Sequence, residues 1–306
     1  MFFYRIFGLN VSSDLEMQEC FAIEETENID VVIHYEDMPK NYTEETTQEI
    51  KREFGCIFRY DEKETFIRYV NQGAFFIRNG NEIAYNIKED ASMNYVKQII
   101  LCFTMSAILA QRNILAMHGS GIVHKDKAYI ISGDSGAGKS TLTGELLNNQ
   151  VGFMSDDIVA INIDEDNNKI EAIPSFPLRK LCPDALKKFG YKIEDVILLP
   201  DAGQEKYAIR IPNEEYTTTN KQLGGIIVIS VGDCEEPQLV EVQGIMKLKV
   251  LTDNIYRSDA YGDMGKASQL LQNSMQIIKN VPVYRLIRPK NKMTVKEQMQ
   301  LIFDRL

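Results

Sequence analysis

The sequence predicts an α/β protein in which a small β-rich domain precedes a larger domain of alternating strands and helices. Residues 1–90 hold short runs rich in Phe, Tyr, Ile and Val, several of which alternate apolar with polar residues, as half-buried strands do. Beyond residue 90, strand-like runs alternate with helix-like runs. A glycine-rich stretch, ISGDSGAGKST at 131–141, stands between a strand and a helix of this second part. We therefore predict domains at residues 1–95 and 96–306.

The predicted N-terminal domain consists of strands joined by turns. Gln-Gly at 72–73 and Asn-Gly at 79–80 predict turns between strands. The polar segment 41–55 predicts either a short surface helix or a loop. The predicted strands are FFYRIFGL, DVVIHYE, CIFRYD, ETFIRYV, GAFFIRNG and EIAYNIK.

The second domain begins with a helix from about Ser92 to about Asn113, with Asp90 or Ser92 as its cap. A hairpin follows at 119–133 and turns at Asp126 and Lys127. The later predicted elements are a helix at 139–149, a strand ending in GFMSDD, a hairpin at 158–173 with the turn DEDNN, a short helix ending at Gly190, a buried strand at 224–231, a helix near 264–279, a strand at 281–287 and a final helix at 294–305.

Composition argues against several classes of protein. The 306 residues are 44% apolar, and the five cysteines include no Cys-x-x-Cys pair, which argues against a zinc site or a disulfide framework and fits a reducing cytosol. The N-terminus lacks the cleavage site of a secretory signal, so we expect a cytoplasmic protein. The apolar run at 99–110 is shorter than the roughly 20 residues of a membrane span, and it predicts a buried helix.

The negative charge is concentrated at the N-terminus. Residues 1–90 hold nine Lys and Arg against 19 Asp and Glu, whereas the rest of the chain holds 25 of each sign, so the whole net charge of -10 lies in the first part. An acidic face repels nucleic acid and anionic membranes and attracts basic partners. We expect no nucleic-acid or membrane partner. The acidic face is either a solvated surface or a docking site for a basic peptide or small protein.

The glycine-rich stretch matches a phosphate-binding pattern. Residues 133–140, GDSGAGKS, fit GxxxxGK[ST] in full, with a strand before and a helix after. Glycines let successive backbone N–H groups surround an anion, and the helix N-terminus adds partial positive charge. We expect Lys139 to bridge the β- and γ-phosphates of a nucleotide and the Ser140 hydroxyl to bind Mg²⁺. The predicted nucleotide-binding residues are Gly133, Asp134, Ser135, Gly136, Ala137, Gly138, Lys139, Ser140 and Thr141.

Two aspartates, Asp156 and Asp157, end the strand that follows the loop helix. In a parallel sheet the carboxyl ends of the strands share one edge, which places the pair near the phosphates. Because neighbouring strand residues point to opposite sides, one aspartate can serve the metal while the other accepts a hydroxyl proton. The alternative is a polar strand end that begins a turn.

His118 lies in HGSG, just before the predicted hairpin that carries the loop. A histidine here can stabilise charge at the γ-phosphate or position the acceptor. The alternative is a packed structural histidine. A guanidinium also favours phosphoryl transfer, and the candidates are Arg179, Arg210 and Arg257.

The spacing HGSG–x11–GDSGAGKS–x14–SDD resembles the C-terminal catalytic domain of HPr kinase/phosphorylase. ATP-dependent phosphoenolpyruvate carboxykinase has a related loop and aspartate pair. More of the chain is similar to HPr kinase-related serine kinases found with peptide-modification and lasso peptide gene sets. That similarity includes YRIFGLNVSSDLEM at the N-terminus, FPLRKLCPDALKKFG at 176–190 and the late VPVYRL.

The resemblance implies that Lys139 binds phosphates, Ser140 binds Mg²⁺, and Asp156 is the base. It also implies that Asp157 serves the metal or holds the local network, and that His118 assists at the phosphoryl group. It also favours Arg179 and Arg257 as contacts to phosphate or substrate. Residues 208–220 depart from the family signature LEIRGLGIINV. Phosphorylase activity, HPr as substrate and a hexamer are therefore not implied, and the sequence indicates no particular oligomeric state.

Three hypotheses follow for the function. The first is an ATP- and Mg²⁺-dependent kinase that phosphorylates a serine of a peptide or small protein, with a lasso-type precursor peptide as the favoured acceptor. The second is a small-molecule kinase that acts on free serine or a comparable hydroxyl compound. The third is a nucleotide-binding sensor without transfer. A GTPase is disfavoured because Asn291-Lys292 is followed by Met-Thr and gives no NKxD motif.

Overall fold

A computed structural model describes residues 1–43, 55–164, 167, 169–201 and 204–306. These residues form a mixed α/β structure with three sheets, which confirms the predicted class. Lys40–Thr43 is a short helix. Most of the polar segment predicted as a helix or loop, and part of the DEDNN turn, lie outside the described residues.

An eight-stranded sheet contains the strands of the N-terminal part in the order β3-β1-β2-β4-β8-β7-β6-β5. Most neighbours are antiparallel, but β4 runs parallel to both β2 and β8. The strands are β1 (Phe2–Ile6), β2 (Leu9–Ser13), β3 (Phe21–Ala22), β4 (Val31–Tyr35), β5 (Cys56–Tyr60), β6 (Glu64–Tyr69), β7 (Gly73–Arg78) and β8 (Glu82–Ile87).

The six predicted strands of this part are confirmed, and two others were missed. The predicted Asn-Gly turn connects β7 and β8, with φ of 53° at Asn79 and 68° at Gly80, values that these two residues tolerate best. The missed strand β2 buries Ser12 and Ser13, so its sequence lacks the alternation of apolar and polar residues that reveals a strand.

A helix of 19 residues, Met93–Gln111, connects the two larger sheets in sequence. Its N-cap is Ser92, one of the two predicted caps, although the Ser92 side chain makes no capping hydrogen bond. Residues Ile99–Thr104 form a π-helical segment within it. Its bounds confirm the predicted helix from about Ser92 to about Asn113. By length and composition this helix could cross a membrane, with a mean hydropathy of 1.4, contrary to the expectation from the shorter apolar run. Because 67% of that stretch is buried against protein, it has the burial of a core helix.

A nine-stranded sheet forms the centre of the second part. β18 is its central strand, parallel to β11 and β20 and antiparallel to β14. The order is β12-β10-β11-β18-β14-β13-β9, with β20 also on β18 and β19 on β20. The strands are β9 (Leu115–His118), β10 (Ser120–His124), β11 (Lys127–Gly133), β12 (Gly152–Ser155), β13 (Ile158–Asp164), β14 (Lys169–Ile173), β18 (Lys221–Gly232), β19 (Gln238–Glu241) and β20 (Val283–Pro289).

The predicted hairpin at 119–133 is confirmed, and it makes the sheet around the loop mixed and not wholly parallel. β10 is antiparallel to both β11 and β12 and lies between them. Two antiparallel steps restore the direction, so β11 and β12 still end at the same edge of the sheet. The aspartates after β12 therefore reach the phosphate loop after β11, as predicted, but by a different route.

A smaller sheet and several helices complete the described structure. The three-stranded sheet has the order β15-β17-β16 and was not predicted, nor were β9, β19 and the helices at 246–252 and 260–263. Its strands are β15 (Leu178–Leu181), β16 (Ile197–Asp201) and β17 (Gln204–Arg210). The remaining helices are Lys139–Leu147, Pro183–Lys188, the 3-10 turn Ile193–Asp195, Met246–Thr252, Ala260–Asp263, Ala267–Asn280 and Val295–Arg305.

The main hydrophobic core is continuous through both large sheets. It includes Tyr4 and Ile83 of the first sheet, Ile108 of the connecting helix, and Ile130 and Val283 of the second sheet. The described parts of residues 1–95 and 96–306 therefore share apolar packing. The division into two domains stays a prediction.

Candidate functional site

The phosphate loop connects β11 to the helix Lys139–Leu147 and depends on positive φ at its glycines. These angles are 133° at Gly133, 78° at Gly136 and 103° at Gly138. Gly133 also packs on β18, where an added Cβ would lie 2.4 Å from the Ile229 carbonyl oxygen. Glycine at 133 is therefore required both by its backbone angle and by the close approach of a neighbouring strand.

Gly133→Ala is expected to lower the free energy of unfolding by at least about 2 kcal/mol, because positive φ and a backbone clash add together. Denaturant unfolding measures this loss. Gly136→Ala is the matched control, since its φ is also positive but nothing lies within 4 Å of the added Cβ. The assignment is contradicted if the two variants lose the same stability.

Two cations hold carbonyl oxygens of the loop. Lys139 donates from Nζ to the carbonyls of Gly133 at 2.6 Å and Asp134 at 3.0 Å. Arg288, at the end of β20, donates to the carbonyls of Ala137 at 2.7 Å and Gly136 at 3.2 Å. Arg288 was missed because no local motif marks a lone arginine so far along the chain. Both side chains satisfy carbonyls that would otherwise repel an anion on the loop.

Asp156 is buried and held at both carboxylate oxygens. Its Oδ1 accepts a hydrogen bond from the Ser120 hydroxyl at 2.6 Å, and its Oδ2 accepts one from the backbone N–H of Lys180 at 2.7 Å. The residue is 8% exposed. Each oxygen has a further lone pair, so the carboxylate is fixed in direction and can still accept a proton.

Asp157 pairs with the buried Lys180 ammonium. The Lys180 Nζ donates to Asp157 Oδ2 at 2.7 Å. It also lies 3.3 Å from the sulfur of Cys102, a residue of the π-helical segment. Burial raises the pKa of Asp157, but Lys180 and then His118 outweigh it and hold that pKa below its ordinary value. Burial likewise lowers the pKa of Lys180, and the Asp157 charge reverses this, so the pKa is raised. Lys180 therefore contacts both aspartates.

His118 ends β9 and packs against the backbone of Asp157. Its Nδ1 lies 3.1 Å from the Asp157 carbonyl oxygen, which also accepts the Gly119 N–H at 3.1 Å. Burial lowers the pKa of His118, although Asp157 opposes this effect, and Lys139 lowers it further. The neutral ring donates from Nδ1 to the carbonyl, which leaves Nε2 as an acceptor. A neutral ring has no charge with which to stabilise an anion, but its Nε2 can accept a hydrogen bond from a hydroxyl.

Acidification is expected to destabilise the fold through His118. The unfolded side chain takes up a proton near pH 6.5. The folded side chain resists it, because its pKa is lowered. Stability therefore rises with pH through this region and falls as the pH drops below it. His118→Gln should reduce the loss of unfolding free energy between pH 7 and 5. Titration by NMR at or above the ordinary histidine pKa would contradict this account.

The loop, His118 and the aspartates surround one cavity of about 250 Å³. It brings together most of the residues that the sequence analysis singled out, and it adds cationic side chains from the three-stranded sheet. Its lining includes His118, Ser120, Ser135, Gly136, Gly138, Lys139, Ser140, Thr141, Asp156, Asp157, Lys180, Cys182 and Lys206.

The three candidate arginines do not line this cavity. Arg179 is buried and donates to the Ser140 carbonyl at 2.8 Å, so it contacts the first turn of the loop helix from outside the cavity. Gly144 permits this, since an added Cβ there would meet the Arg179 guanidinium at 2.2 Å. Arg257 lies 4.2 Å from the centre of the Phe58 ring and pairs with Asp259. Arg210 donates to the Gln18 carbonyl at 3.1 Å.

The residues of the cavity fit a magnesium-bound oligophosphate. The glycine cradle opens at the N-terminus of the helix Lys139–Leu147, beside the Lys139 ammonium. The Ser140 hydroxyl and the Asp157 carboxylate border the same cavity and supply the oxygen ligands that Mg²⁺ prefers. Because Asp157 already pairs with Lys180, a metal there would share this carboxylate with the ammonium.

No protein-family model matches the chain, and a search of curated proteins finds no match. Among solved structures, the chain is similar to the Hpr(Ser) kinase/phosphatase from Coxiella burnetii. The identity is 13% and the TM-score 0.32, over 62% of this chain and 95% of that one. A TM-score of this size does not by itself establish a shared fold.

Proposed function

We propose that this protein is a Mg²⁺- and ATP-dependent kinase that transfers the γ-phosphoryl group to a serine hydroxyl of a peptide or small protein. One observation carries the proposal: the buried, doubly hydrogen-bonded carboxylate of Asp156 borders the same cavity as Lys139 and Ser140 of the phosphate loop. A loop alone only binds phosphate. A fixed carboxylate beside it can accept the proton that an attacking hydroxyl must lose.

The loop residues 133–141 would bind the phosphates, with Lys139 at the β- and γ-phosphates. Ser140 and Asp157 would hold the metal. When bound, Mg²⁺ neutralises charge on the phosphate oxygens and orients them for in-line attack. To bind the β- and γ-phosphates, the Lys139 ammonium would have to break its hydrogen bonds to the carbonyls of Gly133 and Asp134.

Asp156 suits the role of base better than Asp157. The pKa of Asp157 is held down by the Lys180 ammonium, so its carboxylate is a weak proton acceptor. Asp156 receives hydrogen bonds from two neutral donors, a hydroxyl and a backbone N–H. In the transfer, the serine proton passes to Asp156 and the serine oxygen bonds to the γ-phosphorus. The bond from that phosphorus to the bridging oxygen breaks, and ADP leaves.

The acceptor is proposed from charge and size. The acidic excess of residues 1–90 favours a basic peptide, and the lasso-type precursor peptide fits the resemblance of the sequence. A cavity of about 250 Å³ admits one serine side chain from such a peptide. It also has room for free serine, and this observation keeps the small-molecule kinase as a second candidate.

Incubation with Mg²⁺ and ATP, followed by mass spectrometry of the acceptor, tests the proposal. We expect phosphate on basic serine-containing peptides, none on the same peptides with Ser replaced by Ala, and little on acidic peptides. Transfer to free serine alone would favour the small-molecule kinase. ATP binding without transfer to any hydroxyl compound would favour the sensor.

A further inference from the structure

A second cavity opens on the other flank of the phosphate loop. It has a volume of about 530 Å³ and is lined by Gly136, Gly138 and Thr141 of the loop and by side chains from the segment 288–298. The first cavity shares these three loop residues. The loop is therefore a common wall, with the aspartates on one side and the end of β20 and the start of the helix Val295–Arg305 on the other.

We propose that this second cavity binds the nucleoside half of the nucleotide. The inference rests on the proposed function, because it takes the loop as the phosphate site. A triphosphate that crosses the loop has its reactive end beside Asp156, which lines only the first of the two cavities. Its other end then enters the second cavity. The volume lies within the range of about 300–1,000 Å³ typical of small-molecule sites.

The lining of the second cavity suits a ribose and a flat base. Met293 is 80% exposed at its edge and offers an apolar, polarisable surface for the face of a base. Asn291 is exposed beside it, and its amide can both donate to and accept from the edge of a base. Such an exposed methionine and amide gain burial and hydrogen bonds when a nucleoside covers them.

The rest of the segment is held in place. Gln298 is buried and donates to the Thr294 hydroxyl at 3.1 Å, so these two lining side chains hold each other in place. Lys292 is paired with Glu236. The Arg288 guanidinium is fixed by the carbonyls of Gly136 and Ala137, which ties the segment directly to the phosphate loop. The Arg288 side chain thus connects the proposed nucleoside site to the phosphate loop.

Equilibrium binding of two probes tests the inference: Mg²⁺-ATP and Mg²⁺-tripolyphosphate, which lacks a nucleoside. The double variant Asn291→Ala/Met293→Ala is expected to weaken ATP binding about tenfold, since it removes an apolar contact and a hydrogen bond. Tripolyphosphate binding should stay within about twofold, because the loop is untouched. The matched control is Met275→Ala/Asn280→Ala, an exposed pair on the helix Ala267–Asn280.

The outcomes separate this inference from the proposed function. Loss of ATP affinity with retained tripolyphosphate affinity supports the nucleoside site, and retained tripolyphosphate affinity also shows that the variant is folded. ATP affinity equal to that of the control variant overturns the nucleoside site and leaves the kinase proposal standing. Equal weakening of both probes also overturns it. A wild-type protein that binds neither probe overturns the kinase proposal itself.

Discussion

Replacing Asp156 by Asn is expected to lower kcat for phosphoryl transfer about a thousandfold, in the range typical of a lost general base. Affinity for Mg²⁺-ATP should change by no more than about threefold, because Asn has nearly the same shape as Asp and residue 156 is not assigned to phosphate binding. Steady-state kinetics with the best peptide acceptor and equilibrium binding of ATP measure the two quantities separately.

The control for this variant is Asp253→Asn, at an exposed aspartate that pairs with Lys249 on the surface. It should leave both kcat and ATP affinity unchanged. Transfer by the Asp156→Asn protein at the wild-type rate would remove Asp156 from the chemistry. If Asp157→Asn instead abolishes transfer with ATP affinity intact, the two aspartates have exchanged roles.

Replacing Lys180 by Met is expected to cost about 3 kcal/mol of unfolding free energy, at the lower end of the range for buried pairs, because it leaves a partly buried carboxylate without its partner. The Lys180 side chain is 9% exposed and that of Asp157 is 23% exposed, so water cannot fully replace the lost ammonium. Denaturant unfolding gives the loss.

A double-mutant cycle isolates the pair. Lys180→Met combined with Asp157→Asn should recover a large part of the stability, since the second change removes the unpaired charge. Lys249→Met is the matched control, because its pair with Asp253 is exposed and should contribute no more than about 1 kcal/mol. If the double variant is less stable than Lys180→Met alone, the ion pair is not the source of the loss.

The parts of the site predicted from sequence are those with a contiguous signal. The residues of the phosphate loop are consecutive in sequence, and the aspartate pair follows after one helix and one short strand. His118 was ambiguous, because a lone histidine has no local partner in the sequence. The structure places it against the backbone of Asp157.

The contacts that complete the site were not predicted, because they arise from long-range pairing. Ser120 reaches Asp156 across β10 and β12. Lys180 comes from the three-stranded sheet, whose short strands gave no clear periodicity. Arg288 contacts the loop from a strand that is two places away in the sheet. No local pattern encodes such neighbours.

Some expectations failed for identifiable physical reasons. Parallel strands were assumed when the aspartates were placed near the loop, but the predicted hairpin puts the antiparallel β10 between β11 and β12. The apolar run at 99–110 was judged too short for a membrane span, but the helix that contains it, Met93–Gln111, is long and apolar enough by length and composition.

In the proposed reaction, the cavity beside the loop transfers phosphate to a hydroxyl and does not merely bind or hydrolyse ATP. Phosphorus NMR of the protein with Mg²⁺, ATP and a basic serine peptide follows every phosphate at once. We expect ADP and a phosphate monoester of the peptide to appear in equal amounts, and about a thousandfold more slowly with Asp156→Asn. ADP with inorganic phosphate alone, or an unchanged ATP spectrum in the presence of bound nucleotide, would contradict transfer to a hydroxyl.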